Sequence, residues 1–253
     1  MNAMISFRIL FYITAGVFWL TSFALAQPSV LEIIESIQPS IVGIKADNVG
    51  LFDSPNKTAI ALDKSTGRLL VQRNAVMGSY QRNGAGVVVH ESGVIVTNAH
   101  TVHKAQAIKV IINNSLEVPA DIIKFVSDLD LALLKITPPI PLKAVPIADS
   151  DKIKLGDEIV TVGSSALLKQ TVSGGRVKGL GTTGTDSQTA LIQTTLNVYQ
   201  GDSGGPLFDK NGWLIGLMTA GEGAADHSSF AIPSNNIKRY LDEYLNTPGE
   251  SGP

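Results

Sequence analysis

Apolar positions in this chain recur in two rhythms. Between residues 40 and 233 they fall in short runs, alternating or continuous, with turn residues between them. That is the signature of many β-strands. "GAGVVVHESGVIVTNAH" (84–100) predicts two strands joined at His90-Glu91-Ser92-Gly93, and "AQAIKVIINNSLEVPADIIKFV" (105–126) a pair turning at Asn113-Asn114. "LDLALLKI" follows, then the proline-rich stretch 137–146. Beyond it come "DEIVTVGS", "QTVSGGRVKGL", "TALIQTT", "GPLFD", "WLIGLMTA" and "SFAIP". The prolines divide the strands into two sets of about six, which fits a sandwich or barrels. Residues 50–83 are more polar and predict a long excursion containing a hairpin.

The second rhythm is helical and occurs at both ends. "PSVLEIIESIQPS" offers Ser29 as N-cap with Glu32 three residues on, and Leu31, Ile34 and Ile37 as the apolar face. "PSNNIKRYLDEYL" offers Ser234 as a cap, with Ile237, Tyr240, Leu241, Tyr244 and Leu245 at helical spacing.

Composition narrows the function. The 253 residues have room for a sizeable core, and at 44% hydrophobic and 17% charged they predict a globular chain. A net charge of −2 implies no general attraction to nucleic acid. With no cysteine, a disulfide framework, a thiolate nucleophile and Cys-based metal sites are all excluded. The four histidines are scattered without metal-ligand spacing, and no glycine-rich loop opens a helix, so neither metal nor cofactor is expected.

Residues 1–26 stand apart. Arg8 is their one charge, residues 9–26 are an uncharged, mostly apolar run, and Ala24-Leu25-Ala26 is a small-x-small cleavage pattern. This predicts a signal peptide and an exported, periplasmic or secreted protein. Left uncleaved, the run could anchor the chain to the inner membrane, the only membrane contact expected.

The chemistry centres on "TLNVYQGDSGGPLF" (195–208), where glycines flank Ser203. A serine nucleophile needs a base, and the base needs an orienting acid. Among the histidines, His100 stands where an apolar strand stops. His90 lies in a turn, His103 reads as exposed, and His227 sits in a Gly- and Ala-rich loop. Asp128 and Asp130 open the strand "LALLKI"; Asp130 stands directly before it, and Asp128 would lie on the same side. The order is then His100, Asp130, Ser203.

"TNAH", "DLDLALLKI" and "GDSGGPL", in that order, resemble the chymotrypsin-fold, trypsin-like serine proteases, and within them the bacterial HtrA/Deg branch. "ADSDKIKLGDEIVTVG", "QTVSGGRV", "LIQTT", "GWLIGLMTA" and "FAIPSNNIK" extend the likeness over about residues 28–245. The resemblance implies an all-β fold of two six-stranded antiparallel barrels, about 40–136 and 147–233, within a protease domain at 27–245 that precedes a tail at 246–253. It implies His100, Asp130 and Ser203 as catalytic triad and the N–H groups of Gly201 and Ser203 as oxyanion hole. Asn197, Tyr199, Met218, Thr219 and Ala220 would line an uncharged specificity pocket. The implied activity is an exported serine endopeptidase acting on unfolded or misfolded polypeptides. The alternative is a protease-fold binding or scaffold protein with little activity.

The sequence departs from the branch in two ways. No PDZ domain is expected after the protease domain. Asp202 stands where the branch commonly has asparagine, so it needs a partner or solvent, and no cleavage motif for a zymogen precedes the first barrel. The branch often trimerises through aromatic residues before the first barrel, and residues 27–41 contain none.

Overall fold

The computed structural model describes residues 30–63, 68–165, 169–182, 190–197, 201–222 and 228–247. Seven antiparallel strands build the first half: β1 (Ile41–Asp63), β2 (Arg68–His90), β3 (Val94–Asn98), β4 (Ala107–Ile112), β5 (Leu116–Pro119), β6 (Asp121–Val126) and β7 (Leu131–Lys135). Their order is β5-β4-β1-β2-β3-β7-β6. Six build the second: β8 (Glu158–Ser165), β9 (Lys169–Thr182), β10 (Ala190–Thr194), β11 (Pro206–Asp209), β12 (Leu214–Glu222) and β13 (Ser228–Pro233). These close into a barrel in the order β10-β13-β12-β11-β8-β9.

The all-β class with terminal helices is as the pattern predicts. The first half carries one strand more than expected and is a curled, open sheet. Its β4–β5 hairpin turns through Asn113 and Asn114, at φ 50° and 60°. Two consecutive positive φ values are the requirement of a tight hairpin turn, and Asn tolerates them best after Gly. Pro119 removes a donor from β5, which suits it to an edge. The excursion over 50–83 is paired backbone: β1 and β2 stay in register out to Asp63↔Arg68, with one irregularity between Asp53 and Thr58.

The continuous apolar runs are explained by burial on both faces. Val88, Ile95, Ala132 and Leu134 pack inside the first sheet with Val42, Ile44, Val110 and Ile112. Their neighbours Val87, Val89, Val94, Val96, Leu131 and Leu133 turn the other way, onto Phe208, Leu214, Leu217 and Ile232 of the second half. A strand between two cores needs no polar face. The proline-rich stretch stitches the halves together. Val145 N–H donates to Val88 O at 3.0 Å, and Leu214 N–H to Pro146 O at 2.8 Å.

Among the described residues the α-helices are α1 (Val30–Ile37), α2 (Ala99–Val102) and α3 (Ser234–Asn246). On α1 the buried pair is Ile33 and Ile37, one helical turn apart, while Leu31 is 73% exposed. The expected face is therefore rotated. Ile33 and Ile37 join the core shared with the two halves, and the turn at Gly212 lies against them, so close that a Cβ there would meet Ile33 Cγ2 at 3.1 Å. The proposed cap Ser29 lies outside the described residues. On α3 the buried residues include Ile237, Leu241 and Tyr244. Ser234 does not cap it; its hydroxyl donates to Ala148 O at 2.8 Å. The helix start is held from across the chain instead. Asn235 N–H donates to Ser150 Oγ at 3.1 Å, Ser150 N–H to Asn235 Oδ1 at 3.2 Å, and Asn235 Nδ2 to Asp149 Oδ1 at 2.9 Å. The Asn235 amide, with the Asp151 N–H, holds the Asp149 carboxyl below its ordinary pKa.

Candidate active site

Strand register brings His100 and Asp130 together. β3 and β7 pair with Asn98 opposite Leu131, so the residue after one strand meets the residue before the other. Ala99 N–H donates to Asp130 O at 3.0 Å, and Asn98 Nδ2 to the same oxygen at 3.1 Å. Asp130 closes a 3-10 turn, Ser127–Leu129, in the left-handed region at φ 52° and ψ 39°. Such a conformation costs a non-glycine residue about 1–2 kcal/mol. The cost is offset by what it aims: Asp130 Oδ1 accepts from His100 N–H at 2.8 Å, and Oδ2 lies 2.7 Å from His100 Nδ1. An ionised carboxylate only accepts, so Nδ1 carries the proton and Nε2 is left as an acceptor. The His100 side chain is 50% exposed.

A third group reaches the same carboxylate from the other half of the molecule. Thr219, on β12, donates its hydroxyl to Asp130 Oδ2 at 2.5 Å. The preceding residue, Met218, exchanges backbone bonds with the turn after Ser203: Gly204 N–H to Met218 O at 2.9 Å, and Met218 N–H to Gly205 O at 2.8 Å. Two consecutive residues of one strand thus hold the acid and the serine turn.

The serine turn is also pressed against the first sheet. Ala85 N–H donates to Ser203 O at 2.8 Å. Gly204, at φ +80°, lies so close to β2 that a Cβ would stand 2.2 Å from Ala85 O and 2.5 Å from Thr97 Oγ1. A Cβ on Gly84 would stand 2.8 Å from Thr101 Cγ2 and 3.0 Å from Ser203 O. Gly201 has φ +105°, a value open only to glycine at low cost. The glycines around Ser203 therefore answer two demands, left-handed backbone and contact between the two halves. Asp202 is buried at 5% exposure, so it is not solvated, and its carbonyl accepts Gly205 N–H at 2.9 Å.

The remaining candidates separate cleanly. Asp128 stays in its 3-10 turn and accepts from Ser127 Oγ at 3.1 Å. His90 bonds Ser92, and His103 is exposed with its ring 5.8 Å from Phe125. Met218 has no exposed surface and packs in the core of the barrel, and Asn197 is exposed. Tyr199, His227 and the side chain of Ala220 lie outside what is described. Among the described residues no group of three His, Asp or Glu side chains converges to hold a metal ion. Sequence reasoning placed Thr219 in a pocket wall and missed its bond to Asp130.

A closed β-barrel joined to a curled β-sheet, with a His–Asp pair and a glycine-flanked serine held where they meet, has the architecture of a chymotrypsin-like peptidase. The sequence bears this out, for the family model of the trypsin-like peptidase domain matches residues 84–217. The chain belongs to that family. It is 34% identical over 229 residues to the periplasmic pH-dependent serine endoprotease DegQ of Escherichia coli, covering 88% of this chain and 49% of DegQ. It is 33% identical over 233 residues to the magnetosome formation protease MamE of Magnetospirillum gryphiswaldense, covering 87% of this chain and 30% of MamE. The periplasmic serine endoprotease DegP of Escherichia coli is 31% identical over 244 residues, with 87% of this chain and 52% of DegP covered. The chain thus spans about half or less of the length of these relatives.

Proposed function

We propose that the protein is an exported serine endopeptidase that cleaves unfolded or misfolded polypeptides through Ser203, His100 and Asp130. The observation that carries this reading is the grip on Asp130. Both of its oxygens are engaged by His100, and Thr219 joins from the opposite half. A carboxylate so held fixes the imidazole tautomer that a serine nucleophile needs.

In this reading Ser203 Oγ attacks the peptide carbonyl while His100 Nε2 takes its proton. Asp130 stabilises the resulting imidazolium without itself being protonated. The oxyanion faces the N–H groups of Gly201 and Ser203, a kind of donor whose removal typically costs about 2.7–4 kcal/mol. Collapse breaks the C–N bond, and the amine leaves with the proton from Nε2. Water then enters, gives its proton to Nε2 and attacks the acyl-enzyme; release of the acid returns the proton to Ser203.

With Met218 turned into the barrel core, Asn197, Tyr199, Thr219 and Ala220 are left for a specificity pocket and supply no charged side chain, which supports cleavage after small or medium aliphatic residues. Export is supported by the leader pattern of residues 1–26 and by the likeness to DegQ and DegP, which are named as periplasmic endoproteases. Among the described residues no helix is long and apolar enough to cross a membrane. The direct test is labelling by a fluorophosphonate probe. Covalent modification of Ser203, absent in Ser203→Ala, supports the reading; no labelling of the native serine under any condition overturns it.

A further inference from the structure

The proposed base rides on α2, a single helical turn. The last carbonyl of the helix, Val102 O, accepts Ala105 N–H at 3.1 Å, and a side chain reaches the carbonyls of His100 and His103 on either side of it. On the aspartate side His100 is held twice, through N–H and Nδ1. On the carbonyl side the group that reaches it is Arg82. Its Nη1 donates to His100 O at 3.0 Å and to His103 O at 3.2 Å. Nη2 lies 3.4 Å from Tyr80 Oη, and the guanidinium carbon stands 5.5 Å from the Tyr80 ring centre.

We infer that Arg82 is a positioning residue for His100, a clamp that fixes the turn carrying the base relative to the strand that touches the nucleophile. Side chains two apart on a strand share a face. Tyr80, Arg82 and Gly84 therefore face α2 together, and Gly84 is the residue packed between Thr101 and Ser203 O. One strand face so sets both members of the pair: Arg82 holds the turn of His100, and Gly84 with Ala85 holds the turn of Ser203. The same guanidinium also holds the residue that caps α2, His103, at φ −59° and ψ 125°, before Lys104 turns left-handed at φ 57°. Charge-assisted bonds are short and strong, and a guanidinium stays charged at every pH at which the imidazole titrates. The clamp is thus constant while the base changes state. Lysine copies it only in part, since an ammonium can donate to the carbonyls but has no second nitrogen to reach Tyr80 Oη at the same time.

The inference rests on the peptidase reading, and its test keeps the two apart. The full chain is compared with Arg82→Met and Arg82→Lys. Misplacing a reacting group by about 1 Å can cost about a hundredfold in rate, and a loosened turn is a smaller error; kcat is expected to fall about tenfold in Arg82→Met with KM unchanged, and about threefold in Arg82→Lys. The melting temperature stays close to the native value, because the freed carbonyls lie where water can reach them. The downfield proton resonance of His100 Nδ1–H broadens and exchanges faster with water in Arg82→Met. Unchanged kcat overturns the clamp, as does a kcat loss that follows a fall in melting temperature with the resonance as in the native protein. If Arg82→Met does not fold, Arg82→Lys carries the same comparison. If the native protein neither labels at Ser203 nor turns over substrate, the peptidase reading fails, and the resonance still decides the clamp.

Discussion

Thr219 and His100 share one oxygen of Asp130: the Thr219 hydroxyl and His100 Nδ1 both meet Oδ2, one from each half of the molecule. The relationship makes the orientation of the acid depend on how the two halves are docked. A hydrogen bond to a charged group is worth about 1.5–3 kcal/mol, so Thr219→Val is expected to lower kcat about ten- to a hundredfold. Thr219→Ser, which keeps the hydroxyl, stays near the native rate. Steady-state kinetics on a peptide substrate, with melting temperatures alongside, check both.

Asp130→Asn keeps the shape of the acid and removes its charge. The amide can donate to Nδ1, so the imidazole settles in the wrong tautomer, and kcat is expected to fall about ten-thousandfold at neutral pH. The fluorophosphonate labelling rate should fall with it. A variant within tenfold of the native rate would remove Asp130 from the proposed triad.

Gly204→Ala tests the contact behind the serine. The methyl group would stand 2.2 Å from Ala85 O, and the residue must keep φ +80°. Left-handed backbone alone costs about 1–2 kcal/mol, and the clash with backbone adds to it. Destabilisation of at least about 2 kcal/mol is expected in urea denaturation, with Ser203 labelling lost even in protein that remains folded.

Glu117 gives a pH prediction away from the site. Hydrogen bonds from Lys45 and Lys109, at 2.5 and 3.0 Å, hold its pKa at about 2, against 4.5 for the free side chain. A folded pKa below the unfolded value stabilises the fold above pH 4.5, and that contribution is lost as pH falls through about 2. The cluster is exposed, so the effect is small and screened by salt. Melting curves between pH 5 and 2 should show a steeper fall in the native protein than in Glu117→Gln, with the difference shrinking in high salt.

Much of this is legible in the sequence. Alternation and turn residues mark the strands, because a strand's faces and its reversals are local matters. The turns at His90–Gly93 and at Asn113-Asn114 fall where glycine and asparagine stand. The helix faces were harder. Leu31, Ile33, Ile34 and Ile37 are all apolar, and only the packing against the shared core and the turn at Gly212 selects Ile33 and Ile37 for burial. Ser234 has the chemistry of a cap, but Ala148 O lies nearer to hand and takes its hydroxyl.

By itself the sequence determined the strand-rich fold, the helices at its two ends, and the order His100, Asp130, Ser203 of the proposed triad. Each of these depends on local pattern or on a motif within a dozen residues. Only the tertiary structure decided how those residues are held. Thr219 reaches Asp130 across 89 positions of the chain, Arg82 reaches the turn of His100 across 18, and Gly204 meets Ala85 across the junction of the halves. Such contacts depend on the register and docking of sheets, and no periodicity along the chain records them.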